Sequence, residues 1–258
     1  MREFDAFHGY PEPAAPRIVG PRHRTIQNRI AASYRDREFY DGDRMNGYGG
    51  MRDDGRWGPI AQNFVDEYHL NTARVLQVGA HKGFLLYELL KRGMRVYGTE
   101  VSQYAADNSV VRLDFAPFTA LPYESNTFDF VIAASAVYTL NLPDAIKCLR
   151  EIQRVGNGRS WITLAAYEDE DDIEGLMLLR YWFLLGTTIL TKADWLAVME
   201  HAGYTGDYRF DTARSLKLRR LERRPPPISM VPCKDCGAPS DFQNVEGSFC
   251  YTHWPAHK

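Results

Sequence analysis

The hydrophobic positions between residues 71 and 222 fall into short apolar runs that alternate with amphipathic segments. Val75 to Val78 is the first run, Phe128 to Ala134 is the fourth, and Ser160 to Ala166 is the fifth. Runs of this length are typical of strands that are buried on both faces of a parallel sheet. The alternation predicts an α/β fold with a doubly wound, Rossmann-like sheet.

The segments between these runs carry helix signals. Gly83 to Arg92 is predicted to be helical after a glycine turn, and a second helix is predicted to begin near Pro143. Thr191, with Asp194 three residues later, resembles a capping box, and Gly203 is a typical C-terminal stop. These helix signals between the apolar runs agree with a doubly wound order.

Three regions are predicted. Residues 1–70 comprise a Pro/Arg-rich arm and a helical cap, residues 71–222 form the α/β domain, and residues 223–258 form a proline linker and a tail. The linker is assigned to Arg223-Arg-Pro-Pro-Pro227, because consecutive prolines cannot donate to a sheet and stiffen the chain.

Composition constrains the function only weakly. The chain has 258 residues, 45% of them hydrophobic, and a net charge of −2, so it can bury a large core but gives no overall reason to expect nucleic acid or an anionic membrane as partner. The basic residues between Lys217 and Arg224 are interpreted as a solvated edge rather than a phosphate site. Met1 to Gly20 lacks an apolar core segment, and a cytoplasmic location is expected.

The most apolar stretch, Leu176 to Leu190, is too short to span a bilayer and is predicted to be a buried or lid helix. Tyr181, Trp182 and Phe183 within it either line an acceptor pocket or serve in core packing or a dimer contact, and the second reading is favoured. This stretch and the tail are the places where a homodimer or a protein partner is expected.

The segment from Arg74 to Glu100 carries the main chemical signal. Gly79 and Gly83 let the backbone turn sharply and approach a ligand, and the N–H groups at the start of the following helix face that turn. Glu100 ends the next predicted strand, where a carboxylate can accept hydrogen bonds from the hydroxyls of a ribose. The order of strand, glycine turn, helix, strand and acid predicts a nucleoside site.

At these residues the chain resembles the class I S-adenosylmethionine (SAM)-dependent methyltransferases. The segment Tyr40-Asp-Gly-Asp-Arg-Met-Asn-Gly-Tyr-Gly-Gly50, with Asp54-Gly-Arg-Trp57, is similar to the entry motif of a bacterial branch that methylates sugars and small molecules. Ala120 to Phe130 and Leu149 to Val155 match further parts of that family's domain. The resemblance covers roughly residues 30–210 and implies SAM as the cofactor.

The resemblance also implies which residues hold the cofactor. In the cap, Tyr48, Arg56 and Trp57 would close over it, with Arg56 available to the methionine carboxylate, or they would simply pack the cap. The full set of implied cofactor residues is Tyr48, Arg56, Trp57, Gln77, Gly79, Ala80, Gly83, Glu100, Val101, Asp114 and Ser135.

Two residues of the glycine turn depart from the family's pattern. Gln77 stands where the family usually has an acid that helps to hold the amino group of methionine, so it can accept a hydrogen bond but supplies no charge. His81 stands where a middle glycine is usual, so its ring either clashes with the cofactor, donates to its carboxylate, acts as a base, or points to solvent.

Methyl transfer depends mainly on positioning, and a base is needed only when the acceptor must lose a proton. The candidates near the carboxyl edge of the predicted sheet are His81, Tyr138, and Glu168 with its neighbour Tyr167.

Three functions are compatible with the sequence. The first is O- or N-methylation of a small molecule, such as a sugar or a natural-product intermediate. The second is a degenerate methyltransferase fold that binds a partner or another ligand. The third is methylation of RNA or protein, in which the tail recruits the substrate.

The tail carries a second signal. Two residues separate Cys233 from Cys236 and Cys250 from His253, and thirteen separate the two pairs. This spacing lets each pair present two ligands to one ion, and three thiolates with one imidazole suit tetrahedral Zn²⁺. A disulfide is the alternative, but a cytoplasmic location disfavours it. Four protein ligands leave no open position, so a structural zinc is favoured over a catalytic one.

The purified protein is expected to contain one zinc ion per chain. Because a tail of this size has little core of its own, removal of the metal should unfold the tail and leave the α/β domain folded. Elemental analysis of protein purified without added metal measures the first expectation, and the double variant Cys236→Ser, Cys250→Ser tests the second. Wild-type protein that contains no zinc would eliminate the site.

Overall fold

The computed structural model describes residues 1–21 and 23–220, and within residues 221–258 only four short strands. The chain forms two compact units, Met1–Arg220 and Leu221–Lys258. The four zinc-ligand candidates, Cys233, Cys236, Cys250 and His253, lie outside the described residues. The zinc site therefore stays a prediction.

The strands of the first unit are β1 (Arg17–Val19), β2 (Arg74–Val78), β3 (Arg95–Glu100), β4 (Asp114–Phe115), β5 (Phe130–Ala133), β6 (Ser160–Tyr167), β7 (Leu190–Thr191), β8 (Asp207–Asp211) and β9 (Leu218–Arg220). Its helices are α1 (Ile26–Ser33), α2 (Arg37–Asp41), α3 (Trp57–Tyr68), α4 (Phe84–Lys91), α5 (Gln103–Asp107), α6 (Leu142–Gly156), α7 (Ile173–Trp182) and α8 (Lys192–Ala202), with a 3-10 turn at Val137–Thr139. The second unit contains β10 (Ser229–Pro232), β11 (Pro239–Ser240), β12 (Phe242–Asn244) and β13 (Gly247–Phe249), paired as two antiparallel hairpins.

The main sheet has the order β4-β3-β2-β5-β6-β7, with β8 also pairing with β6. Every pairing in it is parallel. The chain builds outward from β2 to β4, returns to β5 beside β2, and then builds in the opposite direction. The connections after β2 and β5 therefore run in opposite directions from the centre of the sheet. Doubly wound folds bind ligands at this position. The predicted α/β fold with a parallel sheet is confirmed.

Alternation along the strands explains how both faces of the sheet are covered. In β2, Leu76 and Val78 belong to one buried cluster and Val75 to another, and in β5 the same division separates Val131 from Ile132. Successive side chains of a strand point to opposite faces, so one apolar run supplies two cores. This is why the strands read as continuous apolar runs.

The predicted element ends are close to those observed. Thr191 caps α8, accepting a hydrogen bond from the Asp194 amide at 3.0 Å, and Gly203 ends the helix with φ +71°. The predicted strand from Phe128 begins two residues later, because the Phe128 amide donates to Val155 of α6 rather than to a neighbouring strand.

The N-terminal arm folds against the sheet. The Phe4 amide donates to the Tyr208 carbonyl at 2.8 Å, and the Trp161 indole donates to the Phe4 carbonyl at 2.8 Å. Phe7 packs against the rings of Trp57 and Trp161. Aromatic residues that precede the first proline therefore attach the arm to the sheet.

The predicted helix from Leu176 is part of α7, which ends at Trp182. Leu178, Leu179 and Leu184 are buried against the rest of the first unit, so they contribute to its own core. None of the helices in the described part of the chain is long and apolar enough to cross a membrane.

The tight packing of the glycine turn gives a stability prediction. At Gly83, where φ is +75°, an added Cβ would lie 2.6 Å from both Ser109 Oγ and Val111 Cγ2, whereas at Gly93, where φ is +87°, nothing lies within 4 Å. Gly93→Ala should therefore cost only the backbone term of about 1–2 kcal/mol, and Gly83→Ala should cost ~1–3 kcal/mol more through overpacking. Denaturant unfolding of the two variants measures the difference, and equal losses would contradict the packing at Gly83.

Candidate active site at the glycine turn

A cavity of about 950 Å³ opens at the carboxyl edge of the sheet. Several parts of the chain line it: the loops after β2 and β5, the cap, the N-terminal arm, the end of α7 with the segment that follows it, and the end of β8 with residues 215–217. The predicted site residues that line it are Tyr48, Arg56, Trp57, Gln77, Ala80, His81, Ser135 and Tyr138. Residues far apart in the sequence thus converge at the topological switch point.

The glycine turn, residues 79–83, is held by backbone hydrogen bonds. The amides of Gly79 and Ala80 both donate to the Thr99 carbonyl, at 2.9 and 3.1 Å. Gly79, His81 and Gly83 all have positive φ, at +72°, +53° and +75°. Glycine adopts such angles readily, whereas a histidine there is strained and needs compensating contacts.

Glu100 supplies part of that compensation. Its carboxylate accepts hydrogen bonds from the backbone amides of His81 at 2.8 Å, Val101 at 2.8 Å and Ser102 at 3.2 Å. Its side chain is 1% exposed, and it lies beneath the turn rather than on the cavity wall. In the structure Glu100 therefore stabilises the glycine turn, and the ribose contact expected from sequence stays a prediction.

The His81 ring faces the cap rather than solvent. Its Nδ1 lies 3.4 Å from the Tyr40 hydroxyl, and its Nε2 lies 3.3 Å from the Tyr48 hydroxyl. Burial lowers the pKa of His81 below its usual value, although the Glu100 carboxylate opposes this effect. His81 is therefore neutral at pH 7, and it connects the turn to the two tyrosines.

Gln77 provides an unsatisfied acceptor. Gln77 lies on the cavity wall and is only 4% exposed. Its Oε1 has no hydrogen-bond partner among the described residues. A buried carbonyl oxygen without a donor costs about 1–3 kcal/mol, so a ligand that donates to it gains that free energy. The atom fits the ammonium group that the resemblance assigns to this position.

A buried ion pair fixes the cap to the turn. Lys82 Nζ lies 2.6 and 2.7 Å from the Asp41 oxygens and donates to the Met51 carbonyl at 3.1 Å, while the Tyr104 hydroxyl donates to Asp41 at 2.6 Å. Partial burial tends to raise the pKa of Asp41, but the hydrogen bonds from Lys82 and Tyr104 outweigh it and leave the pKa below its usual value. The pair stays charged and holds the cap above the turn.

Arg56 already has a charged partner. Its Nε lies 2.6 Å from Asp54 Oδ1, and its Nη1 donates to the Tyr10 hydroxyl at 2.8 Å. The Arg56 hydrogen bond lowers the pKa of Asp54 to about 2. Trp57 packs at an angle against the Tyr10 ring. The two cap residues thus hold the N-terminal arm, and a cofactor carboxylate would share Arg56 with Asp54.

Several predicted residues lie off the cavity wall. Gly79 and Gly83 shape the turn from within, and Val101 contributes its amide to Glu100. Asp114 accepts from the Tyr123 hydroxyl at 2.7 Å. Glu168 is half exposed and pairs with Lys192 at 2.6 Å, so the structure does not bring this proposed base to the cavity.

Tyr138 does line the cavity, and burial raises its pKa well above the usual value. Its hydroxyl therefore stays protonated and is suited to donating a hydrogen bond rather than to removing a proton. Tyr138 is fixed at the turn after β5, where the amides of Thr187 and Thr188 donate to its carbonyl at 3.0 Å.

Asp211 is a cavity residue that the sequence reasoning missed. It ends β8 on the cavity wall, 3.4 Å from Arg209 Nη2. Burial raises the pKa of Asp211 to about 6, although Arg209 opposes the shift. An acid at the carboxyl end of a strand was the available signal. A carboxyl group that titrates near neutrality can take up a proton at pH 7.

Among residues 1–21 and 23–220, no group of three or more His, Cys, Asp or Glu side chains is placed to hold a metal ion.

Comparison with known proteins assigns part of this site to a known domain family. Residues 76–162 match a methyltransferase domain family, and this segment is about a third of the chain. It includes the glycine turn, Glu100, Ser135 and Tyr138. No curated protein matches the chain.

Solved structures with a similar chain fold have low sequence identity to this protein. The YcgJ protein of Bacillus subtilis has 17% identity and a TM-score of 0.46 over 55% of this chain and 66% of its own. CalS10, an amino pentose methyltransferase of Micromonospora echinaspora, has 22% identity and a TM-score of 0.35 over 38% and 45%. The [4+2]-cyclase SpnF has 17% identity and a TM-score of 0.43 over 56% and 57%. The chain spans 66% or less of each of these proteins. The family match thus confirms the methyltransferase-type fold predicted from the sequence.

Proposed function

We propose that the protein is a SAM-dependent methyltransferase that acts on an oxygen or nitrogen of a small molecule, such as a sugar or a natural-product intermediate. The observation that supports this most is the cavity of about 950 Å³ that opens on the glycine turn within the matched domain. Pockets of this size suit a small ligand. The cap and the N-terminal arm line it together, which favours a small acceptor over a macromolecule.

The chain's residues suit SAM at the turn. When bound there, SAM supplies an electrophilic methyl group. Gln77 Oε1 is available to accept a hydrogen bond from the ammonium group of its methionine part, and Gly79 and Gly83 adopt the positive φ angles that shape the turn. Tyr138 and Ser135 line the wall after β5, where they can donate hydrogen bonds to a ligand.

The acceptor is held and deprotonated by other residues. Asp211 faces the same cavity and can take the proton that an acceptor O–H or N–H loses. Its raised pKa brings its proton affinity close to what transfer at neutral pH needs, while Arg209 beside it limits the shift. We assign Asp211 as the general base, in place of Glu168.

The alternative is a fold that binds a ligand without methylating it. The packing of His81 between Tyr40 and Tyr48, over the buried Glu100, favours this alternative, because it covers the carboxylate expected to bind a ribose. SAM binding discriminates between the two.

For the tail, we propose a structural zinc held by Cys233, Cys236, Cys250 and His253.

Calorimetric titration with SAM and with its demethylated product should show one site per chain. Gln77→Asp should tighten binding several-fold, because an ionised acceptor forms a stronger hydrogen bond to an ammonium group, and Gln77→Met should weaken it by removing the acceptor. Gln103→Met, at an exposed position on α5, is the control and should bind as the wild type does. Absence of binding in the folded wild-type protein would reject SAM as the cofactor and favour the alternative.

The raised pKa of Asp211 gives a pH prediction. Folding favours the protonated carboxyl group, so the stability it contributes is present below pH ~4 and is lost as pH rises through about 6. Asp211→Asn should therefore stabilise the fold by up to ~3 kcal/mol at pH 8 and by much less at pH 4. Denaturant unfolding at both pH values measures this.

Asp107→Asn, at an exposed position on α5, is the matched control and should show no such gain at pH 8. Equal stability of Asp211→Asn and wild type at pH 8 would mean that Asp211 is not held at a raised pKa. The role of Asp211 as the base would then lose its support.

A further inference from the structure

Three arginines surround the ring of Trp182 on one side of the cavity. The guanidinium carbons of Arg17 and Arg24 each lie 4.9 Å from the ring centroid, and that of Arg44 lies 5.4 Å from it. All four residues line the cavity. They come from the N-terminal arm, the residues before α1, the cap loop and the end of α7, so only the fold brings them together. We call them the arginine cluster.

The charges of the arginine cluster have no acidic partner. Arg17 donates to the Leu216 carbonyl at 3.0 Å, and Arg44 donates to the Gly47 carbonyl. Arg24 donates to the carbonyls of Trp182, Arg44 and Gly47. In the described parts of the chain, no carboxylate lies within 4 Å of any of the three guanidinium groups. The carbonyls orient the guanidinium groups but do not neutralise them.

Four other cations of the same cavity are paired with acids. Lys82 pairs with Asp41, Arg56 with Asp54, Arg209 with Asp5 and Asp211, and Lys217 with Glu12. The cavity therefore has acids available, but none of them pairs with the arginine cluster. Arg35 and Arg52, which also line the cavity, have no acidic partner among the described residues either, so the arginine cluster is distinguished by the three guanidinium groups gathered on one ring.

Keeping these charges together is unfavourable. Arg24 is only 9% exposed, and burial, together with repulsion from Arg44 and Arg29, lowers its pKa to about 10. Burial also lowers the pKa of Arg17 and Arg44. All three remain charged at pH 7, so the fold holds unneutralised positive charge beside a ligand-sized space. An oxyanion that entered this space would offset both the desolvation and the repulsion.

We propose that the arginine cluster is an anion subsite, which binds a carboxylate or phosphate group of the methyl acceptor. The inference rests on the proposed function and specifies its substrate class: an acidic small molecule. Guanidinium groups match both oxyanions with two parallel hydrogen bonds, and most of the N–H groups in the cluster have no acceptor among the described residues. The Asp211 carboxylate attracts the Arg17 guanidinium group only from a longer distance, because Asp211 is itself paired with Arg209.

Binding of simple anions tests the subsite in the full-length protein. Inorganic phosphate and succinate, each titrated calorimetrically at pH 7 and constant ionic strength set with NaCl, should bind saturably at one site. The tighter of the two identifies the oxyanion that the subsite prefers. Arg17→Gln and Arg44→Gln should each raise the dissociation constant at least ~10-fold, as expected for loss of a charged hydrogen bond. Arg112→Gln, which removes the same charge from an exposed position, should leave it unchanged.

Arg24 is more deeply buried, so Arg24→Lys is the appropriate variant there, because it keeps the charge but loses the planar fork. It should fold and should weaken anion binding.

Titration of the same variants with the demethylated cofactor product separates this inference from the proposed function. Unchanged product binding together with weakened anion binding supports an acceptor subsite. Weakened binding of both would assign the arginine cluster to the cofactor carboxylate and overturn the inference. Absence of saturable anion binding in the wild-type protein would also overturn it, whereas absence of product binding alone would count against the proposed function.

Discussion

The buried carboxylate of Glu100 is the contact on which the rest of the site depends. It accepts backbone amides from His81 in the glycine turn and from Val101 and Ser102 beyond β3, so it joins the ends of two adjacent strands. Without these bonds a histidine at φ +53° would have little to compensate its strain. The turn so fixed presents Lys82 to Asp41, which holds the cap, and the His81 ring to the cap tyrosines. Sheet, turn and cap are therefore one connected hydrogen-bonded structure.

The cavity above that structure combines paired and unpaired charge. Arg56, Lys82, Arg209 and Lys217 pair with acids, and these pairs attach the arm and the cap. Burial disfavours the ionised form of Asp211 and of Arg24 in the arginine cluster. Destabilising groups of this kind are typical of functional sites, because a ligand restores the free energy that the fold loses. A base and an anion subsite on one wall would orient an acidic acceptor relative to the turn.

The sequence predicted those features that depend on local pattern. The strand, turn and helix around Gly79, the acid at the end of β3, and the cap at Thr191 all follow from residue type and short spacing. The cavity positions of Gln77 and Tyr138 followed from their places near the carboxyl end of β2 and after β5.

Features that depend on tertiary contact could not be predicted in this way. The packing of the arm relies on Phe4 and Phe7 in a proline-rich segment without helix or strand periodicity. Glu168 forms an ion pair with Lys192 outside the cavity, and no local sequence pattern predicts that pair. The arginine cluster combines residues 17, 24 and 44 with a ring at position 182, a separation that only the folded chain closes.

The central claim is that the glycine turn and the cavity above it bind SAM. A crystal structure of the protein with the demethylated cofactor product tests this most directly. We expect density for the product along residues 79–83, with its amino group within hydrogen-bond distance of Gln77 Oε1. Crystals grown at saturating product that show no density at the turn, with Gln77 still without a partner, would contradict it.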